Sequence, residues 1–231
     1  MKIFITRDIN AHTSIFYKEL TKFNFEVSGQ SLIRLSLIPF KHIPVTDWIF
    51  FYSKNAIQFF FDHIQTQQIS FHSSTRKWAT IGEGSAKKLL KFGIKADFIG
   101  NGEPNITAKS FLQIAENQHV LFPRAKQSKQ SIQALLQKNI YVHDLIIYNN
   151  QPQKMTTQRF DDILVFTSPM NVTTYFNAYP KLPHQQLIAI GNTTAKALYT
   201  FGFMEVIIAE APSEASLVKA VLSIVAGQKA S

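Results

Sequence analysis

Ile81-Gly82-Glu83-Gly84-Ser85-Ala86 and Ile190-Gly191-Asn192-Thr193-Thr194-Ala195 are the stretches whose comparison decides the fold. They match at an offset of 109 positions, and the match continues at that offset: Leu89 with Leu198, Phe92 with Phe201, Gly93 with Gly202. Upstream, Phe51-Tyr52-Ser53-Lys54-Asn55-Ala56 answers Phe166-Thr167-Ser168-Pro169-Met170-Asn171 at an offset of about 115. Each half therefore reads as a strand ending in Ser, a helix, a strand ending in Ile-Gly, and a second helix. Any two βα units share some likeness, but two segments repeating together at nearly one spacing point to related domains.

Outward from these segments the same grammar holds. Asp47 to Ser53 contains an apolar run of the kind that lies in a strand buried on both faces. Ala56, Phe59, Phe60 and His63 then fall on one helical stripe. Strands are predicted at 1–6, 78–81, 97–99, 119–122, 145–148, 163–166, 187–190 and 206–209. Helices are predicted around 11–20, 85–91, 107–116, 131–137 and 213–225. Alternation of this kind predicts two related three-layer α/β domains with parallel sheets. Two proline-bearing extended segments, 35–45 and 149–156, break the pattern. If residues 1–34 belong with the C-terminal half, both are crossings between domains.

Composition narrows the function. The chain has 231 residues, 45% of them apolar and 17% charged, which is a globular balance. Its longest apolar run is five residues, Trp48 to Tyr52, against roughly 20 for a membrane span. Residues 1–7 lack the apolar core and cleavage site of a signal peptide, so a cytoplasmic location is expected. There is no cysteine, which excludes disulfides, thiolate nucleophiles and cysteine-held metals. No two of the seven histidines lie two to four residues apart, so no metal is expected.

The formal charge of +9 points to an anionic partner, or simply to a basic, solvated surface. The densest cluster, Lys87, Lys88, Lys91 and Lys95, fits the wet face of a helix. No run of five like charges and no basic recognition helix is present, so nucleic acid is not the expected partner. The phenylalanines lie mostly on core-facing stripes and read as packing.

In an open α/β sheet, ligands bind outside the carboxyl ends of the strands. Four loops there have suitable chemistry. Ser53 and Ser168 follow a strand directly and can cap the next helix, with Pro169 at the first helical position. Gly82 and Gly191 allow tight turns, and Ser85, Thr193 and Thr194 add hydroxyls at helix starts. Open amides at such helix N-termini suit carboxylates or phosphates. Ordinary capping explains each residue singly; four such loops, paired across two domains, favour an anion site. No Walker lysine follows Gly84 and no G-x-G-x-x-G occurs, so a nucleotide cofactor is not indicated.

On these residues the chain resembles uroporphyrinogen-III synthase. The likeness rests on Ile5-Thr6-Arg7, on 47–56, on 79–86 with Ala96-Asp97, on Tyr148, on 166–169 and on 190–195. It implies two α/β domains with a cleft between them, joined by a two-stranded connection. Residues 1–34 and 154–231 would form one domain, 36–150 the other, and 35–45 and 149–156 the linker strands. It implies a cofactor-independent, metal-free enzyme acting on hydroxymethylbilane, a linear tetrapyrrole with eight carboxylates; a monomer is expected separately, because no helical stripe is left uncovered. Water is lost, ring D is inverted, and the ring closes to uroporphyrinogen III. By the same resemblance Tyr148 is the candidate acid. Candidate substrate contacts are Arg7, Ser53, Lys54, Asn55, Gly84, Ser85, Arg124, Ser168, Pro169, Asn192, Thr193 and Thr194. The sequence departs from the family at Tyr52, where threonine is common, and at Asp8, where proline often follows the arginine. It departs again around Arg124, where Ala125, Ser128 and Lys129 replace expected glycines and a second arginine. A non-catalytic two-domain binder of an anionic metabolite is the alternative, and the isomer of the product discriminates the two.

Overall fold

The structure is a computed structural model that describes residues 1–70 and 76–229. By its internal contacts the chain divides into two compact units, Met1–Arg34 with Gln151–Ser231, and Leu35–Asn150.

The first unit is built on a five-stranded parallel sheet. Its strands are β1 (Lys2–Ile5), β2 (Glu26–Gly29), β9 (Ile163–Phe166), β10 (Gln186–Ala189) and β11 (Val206–Ile208), in the order β11-β10-β9-β1-β2. Alternate side chains leave the sheet on opposite faces. Ile3, Ile5, Ile163, Val165 and Ile188 pack under α1 (Ile15–Thr21) and α8 (Glu214–Lys229) through Phe16, Leu20, Leu217 and Val221. Phe4, Leu164, Phe166 and Leu187 meet Val172 and Tyr175 of α6 (Pro169–Phe176), and Ala195 and Leu198 of α7 (Asn192–Tyr199).

The second sheet, six-stranded and lying mostly within the second unit, holds β3 (Ile33–Leu37), β4 (Trp48–Phe51), β5 (Lys77–Thr80), β6 (Phe98–Ile99), β7 (His119–Ala125) and β8 (Tyr141–Pro152), in the order β3-β8-β7-β4-β5-β6. The pairs among β4 to β8 are parallel. Ile49, Phe51, Trp78 and Leu121 pack on α2 (Lys54–Gln67) and α3 (Glu83–Leu90). Trp48, Phe50, Val120 and Phe122 pack on α4 (Pro104–Ala115) and α5 (Ser131–Leu136). Burial on both faces is why Trp48–Phe51 reads as an unbroken apolar run rather than an alternating one.

Three elements differ from the sequence reading. The strand β2 was not anticipated: Glu-Val-Ser-Gly holds one strong strand former, and only its edge position beside β1 orders it. The first helix starts at Ile15 rather than near Ala11, because the Ser14 hydroxyl accepts the Tyr17 amide at 3.2 Å and so fixes the cap. Of the extended segment 35–45, only the part up to Leu37 belongs to a strand, β3, which neighbours β8 in the sheet. Pro39 and Pro44 have no amide to give to a ladder.

The repeat has a local signature at helix ends. Gly93 and Gly202, each three residues past the end of α3 and α7, adopt φ of 77° and 82°. That left-handed backbone favours glycine, and it ends both helices in the same way.

Candidate functional site

Parallel pairing places the loops that follow β4, β5, β7 and β8 at one end of the second sheet, and those that follow β1, β9 and β10 at one end of the first. After β4 the chain enters α2 through Ser53, whose Oγ accepts the Ala56 amide at 3.1 Å. The amides of Lys54 and Asn55 precede the first intrahelical bond and face outward unclaimed by the helix. After β9, Ser168 repeats the arrangement: its Oγ accepts the Asn171 amide at 3.2 Å, with Pro169 at the first helical position. After β5 and β10, Gly82 and Gly191 take the cap position without any side-chain bond. They leave the amides of Glu83 and Gly84, and of Asn192 and Thr193, at open helix starts.

Lys54, Asn55, Gly84, Pro169, Asn192 and Thr193 are exposed, and Ser53 and Ser168 half-buried. The structure brings two of these loops together. A Cβ on Gly84 would stand 3.0 Å from Lys54 Cε and 3.3 Å from its Nζ, so the lysine lies against the glycine at the start of α3. Glycine there gives the ammonium room beside open amides.

Tyr148 sits on β8 next to a register shift between Arg124 and Ala125 of β7. Its ring is 6% exposed and stacks on Phe59 of α2 at 5.1 Å and 9°. Its hydroxyl is 3.2 Å from Ser53 Oγ. The candidate acid and the cap of α2 are therefore hydrogen-bonded to each other, which sequence spacing could not show across 95 residues.

Several candidate residues stand otherwise than expected. Ser85 and Thr194 are 6% and 1% exposed: each is the third residue of its helix, the position turned onto the sheet, so their hydroxyls are not at the loop surface. Gly82 and Gly191 do not make left-handed turns. Their φ values, −178° and 176°, are ordinary extended backbone. A Cβ at Gly82 would lie 3.3 Å from the Gly102 backbone, whereas Gly191 faces open space. Arg124 is buried and its guanidinium is spent: Nε and Nη2 donate to Asp144 at 2.7 and 3.1 Å, and Nη1 donates to the Ala125 carbonyl at 3.1 Å.

That pair belongs to a polar chain the sequence did not disclose. Gln133 donates its side-chain amide to Asp144, and its own carbonyl oxygen accepts from the Tyr52 hydroxyl at 2.7 Å. Burial works to raise the Asp144 carboxyl, but the hydrogen bonds from Arg124 and Gln133 and the nearby guanidinium charge outweigh it and hold it below the usual carboxylate range. Burial pushes the Tyr52 phenol up.

In the first unit, Arg7 follows β1 half-exposed, with its nearest carboxylate oxygen, on Glu214, at 3.7 Å. The other oxygen of Glu214 accepts from Ser14 Oγ and the Phe16 amide at 3.0 and 2.9 Å. Beside it, Asn171 is 2% exposed and donates to the Thr6 carbonyl at 2.8 Å and to Thr167 Oγ1 at 3.1 Å. Its carbonyl accepts the Leu32 amide at 3.2 Å. Thr6, Thr167 and Asn171 thus lock the ends of β1 and β9 to the segment leading into β3. Among the described residues, which exclude His72, no group of three His, Asp or Glu stands together as a metal site. No described helix is long and apolar enough to cross a membrane.

Comparison with known proteins agrees with this geometry. Residues 30–219 match the family model described as uroporphyrinogen-III synthase HemD. A uroporphyrinogen-III synthase of Chlorobaculum parvum is 30% identical over 191 residues, covering 75% of this chain and 77% of that protein. A porphyrin biosynthesis protein HemD of Ruminiclostridium josui is 27% identical over 195 residues; the match takes in 78% of this chain but 38% of that longer protein. Among solved structures, the uroporphyrinogen-III synthetase of Helicobacter pylori superposes with a TM-score of 0.72 at 21% identity, covering 96% of this chain and 99% of the other. A mutant uroporphyrinogen-III synthase from Thermus thermophilus reaches 0.60 at 14% identity, with both chains covered fully. The two structures speak for the fold, and the family model and the 30% relative for the lineage: the chain belongs to the uroporphyrinogen-III synthase family.

Proposed function

We propose that the protein converts hydroxymethylbilane into uroporphyrinogen III, with loss of water and inversion of ring D, as a cofactor-independent lyase of haem biosynthesis. The observation that carries the reading is the helix start with one or two unclaimed amides, repeated at four strand ends in a chain of this family. A substrate with eight carboxylates matches a basic chain whose helix starts offer open amides and hydroxyls. Exposed charge pairs contribute only about 0.2–1 kcal/mol each. Affinity therefore comes from amides at 54, 55, 83, 84, 170, 192 and 193 and from the hydroxyls of Ser168 and Thr193. Arg7 and Lys54 add charge, and the excess of +9 speeds encounter.

The chemistry is chiefly a matter of holding ring D so that its substituted carbon is the one attacked. Tyr148 supplies the acid function: its hydroxyl hydrogen-bonds the departing hydroxyl group of the substrate. The protein acts as a cytoplasmic monomer in this reading.

The test is direct. Hydroxymethylbilane generated enzymatically is incubated with the protein, the product is oxidised, and type I and type III porphyrins are separated. Type III isomer above the spontaneous background is expected; type I alone refutes the synthase reading. Tyr148→Phe is expected to lower kcat by about 10²-fold, the low end for a general acid. A wild-type rate would remove Tyr148 from the chemistry.

A further inference from the structure

We propose that Ser53 is a positioning residue that fixes which way the Tyr148 hydroxyl proton points. The inference rests on the reaction proposed above and concerns only the second unit.

Ser53 Oγ receives the Ala56 amide at 3.1 Å. An amide can only donate, so this bond fills an acceptor position and leaves the serine its one proton to place. The phenol oxygen of Tyr148 lies 3.2 Å away, and either hydroxyl can be the donor of that contact; in the arrangement proposed, Ser53 is the donor. Among the described residues, Ser53 is the one hydrogen-bond partner of the Tyr148 hydroxyl. If Ser53 donates, the phenol proton is free for a ligand. If Tyr148 donates instead, the proton is consumed inside the protein and the acid function is lost. The Tyr148 ring cannot compensate by swinging away, because it is buried and stacked on Phe59. Only the hydroxyl rotor is adjustable, and Ser53 adjusts it.

The result is a directional chain: Ala56 N–H to Ser53 O–H to Tyr148 O–H to the substrate. Each donor is polarised by the one behind it. In the dehydration step the bond between the terminal methylene carbon and its hydroxyl oxygen breaks, and its electron pair stays on oxygen. The Tyr148 proton moves to that oxygen and completes a water molecule. The phenolate left behind keeps the Ser53 hydroxyl as a donor and lies near the N-terminal end of α2, which favours negative charge. The proton shed from the pyrrole carbon when the macrocycle closes returns to Tyr148, so substrate leaves as product plus one water.

The repeat gives an internal comparison. Ser168 holds the same place in the first unit and accepts the Asn171 amide, but among the described residues no phenol is bonded to it. Capping accounts for Ser168; it does not account for the second bond at Ser53.

The experiment is a set of Ser53 variants measured in wild-type and Tyr148→Phe backgrounds, reading kcat, KM for hydroxymethylbilane, and melting temperature. Glycine caps a helix nearly as well as serine, and aspartate caps it with no proton to give. Ser53→Gly and Ser53→Asp are each expected to lower kcat about tenfold, the scale of one hydrogen bond to a charged oxygen. Melting temperature should stay close to wild type, and for Ser53→Gly KM should stay within about twofold. Ser53→Thr should restore kcat. In the Tyr148→Phe background, Ser53→Gly should lower kcat no further. Equal losses in both backgrounds, or a wild-type kcat for Ser53→Gly, overturn the proposal. A Tyr148→Phe protein that makes type III isomer at the wild-type rate also overturns it while leaving the synthase reading intact. Failure of the wild type to make type III isomer overturns both.

Discussion

Breaking the Arg124–Asp144 pair from its two sides should give unequal results. Arg124 is 7% exposed on its side chain and Asp144 38%. Asp144→Leu strands a charged guanidinium inside the second unit with one carbonyl bond left, and orphans the amide of Gln133. Removing one partner of a buried pair costs about 3–5 kcal/mol when the other charge is left buried. Arg124→Leu leaves instead a carboxylate that water reaches and that Gln133 still serves. Its cost should be about 1–2 kcal/mol, close to the loss of hydrogen bonds to a partly hydrated charge. The double variant removes both charges, so it should be more stable than Asp144→Leu alone by at least about 1 kcal/mol. Urea unfolding at pH 7, with the slopes compared, gives all three values.

The pH dependence follows from the depressed Asp144 carboxyl. A carboxyl held lower in the folded chain contributes stability above its unfolded pKa of about 3.9, and that contribution is lost as pH falls through the folded value. The gap between wild type and Arg124→Leu should therefore close below about pH 4. A double variant less stable than Asp144→Leu, or single variants of equal cost, would refute the asymmetry. A large rise in KM on Arg124→Leu at unchanged stability would show that the guanidinium meets substrate after all.

The first unit offers a parallel case. Asn171→Ala leaves the Leu32 amide without an acceptor in a buried site, and should cost about 2–4 kcal/mol in urea unfolding; a loss under about 1 kcal/mol would mean the segment rearranges to satisfy itself. The repeat-related glycines should part company: Gly191→Ala, with open space and extended φ, should shift stability by less than about 0.5 kcal/mol, whereas Gly82→Ala pushes on the Gly102 backbone and should cost more. KM for hydroxymethylbilane should rise with ionic strength only modestly between 0.05 and 0.3 M in the manner of exposed charges; a tenfold rise would show that cations, not amides, carry the affinity.

Much of this fold was legible because its strands are buried on both faces, and such strands write themselves as short apolar runs: Trp48–Phe51, Ile163–Phe166 and Leu187–Ala189 lie where those runs are. The repeat was legible for a different reason. Ser53 with Ser168, and Gly93 with Gly202, occupy positions where backbone geometry selects the residue, at caps and left-handed turns. What stayed hidden was everything that depends on distant pairing. β2 is held by its neighbour rather than by composition. Arg124 looked like a free cation until Asp144, on the adjacent strand, claimed it. Ser85 and Thr194 looked like ligand hydroxyls because periodicity tells which residues share a helix face, not that the third residue of these two helices faces the sheet. The bond between Ser53 and Tyr148 required the cap of α2 to be set beside β8.

The order of strands also sets a schedule for the growing chain. β1 is an interior strand of its sheet, between β2 and β9, and Ile3 is registered with Ile163. At roughly 5–20 residues per second on the ribosome, the apolar Ile3-Phe4-Ile5 segment is made about ten to thirty seconds before the partner that covers it. The continuous stretch 35–150 is synthesised meanwhile and is free to finish first. Early residues must therefore wait, in a form that neither aggregates nor pairs wrongly, for the last third of the polypeptide.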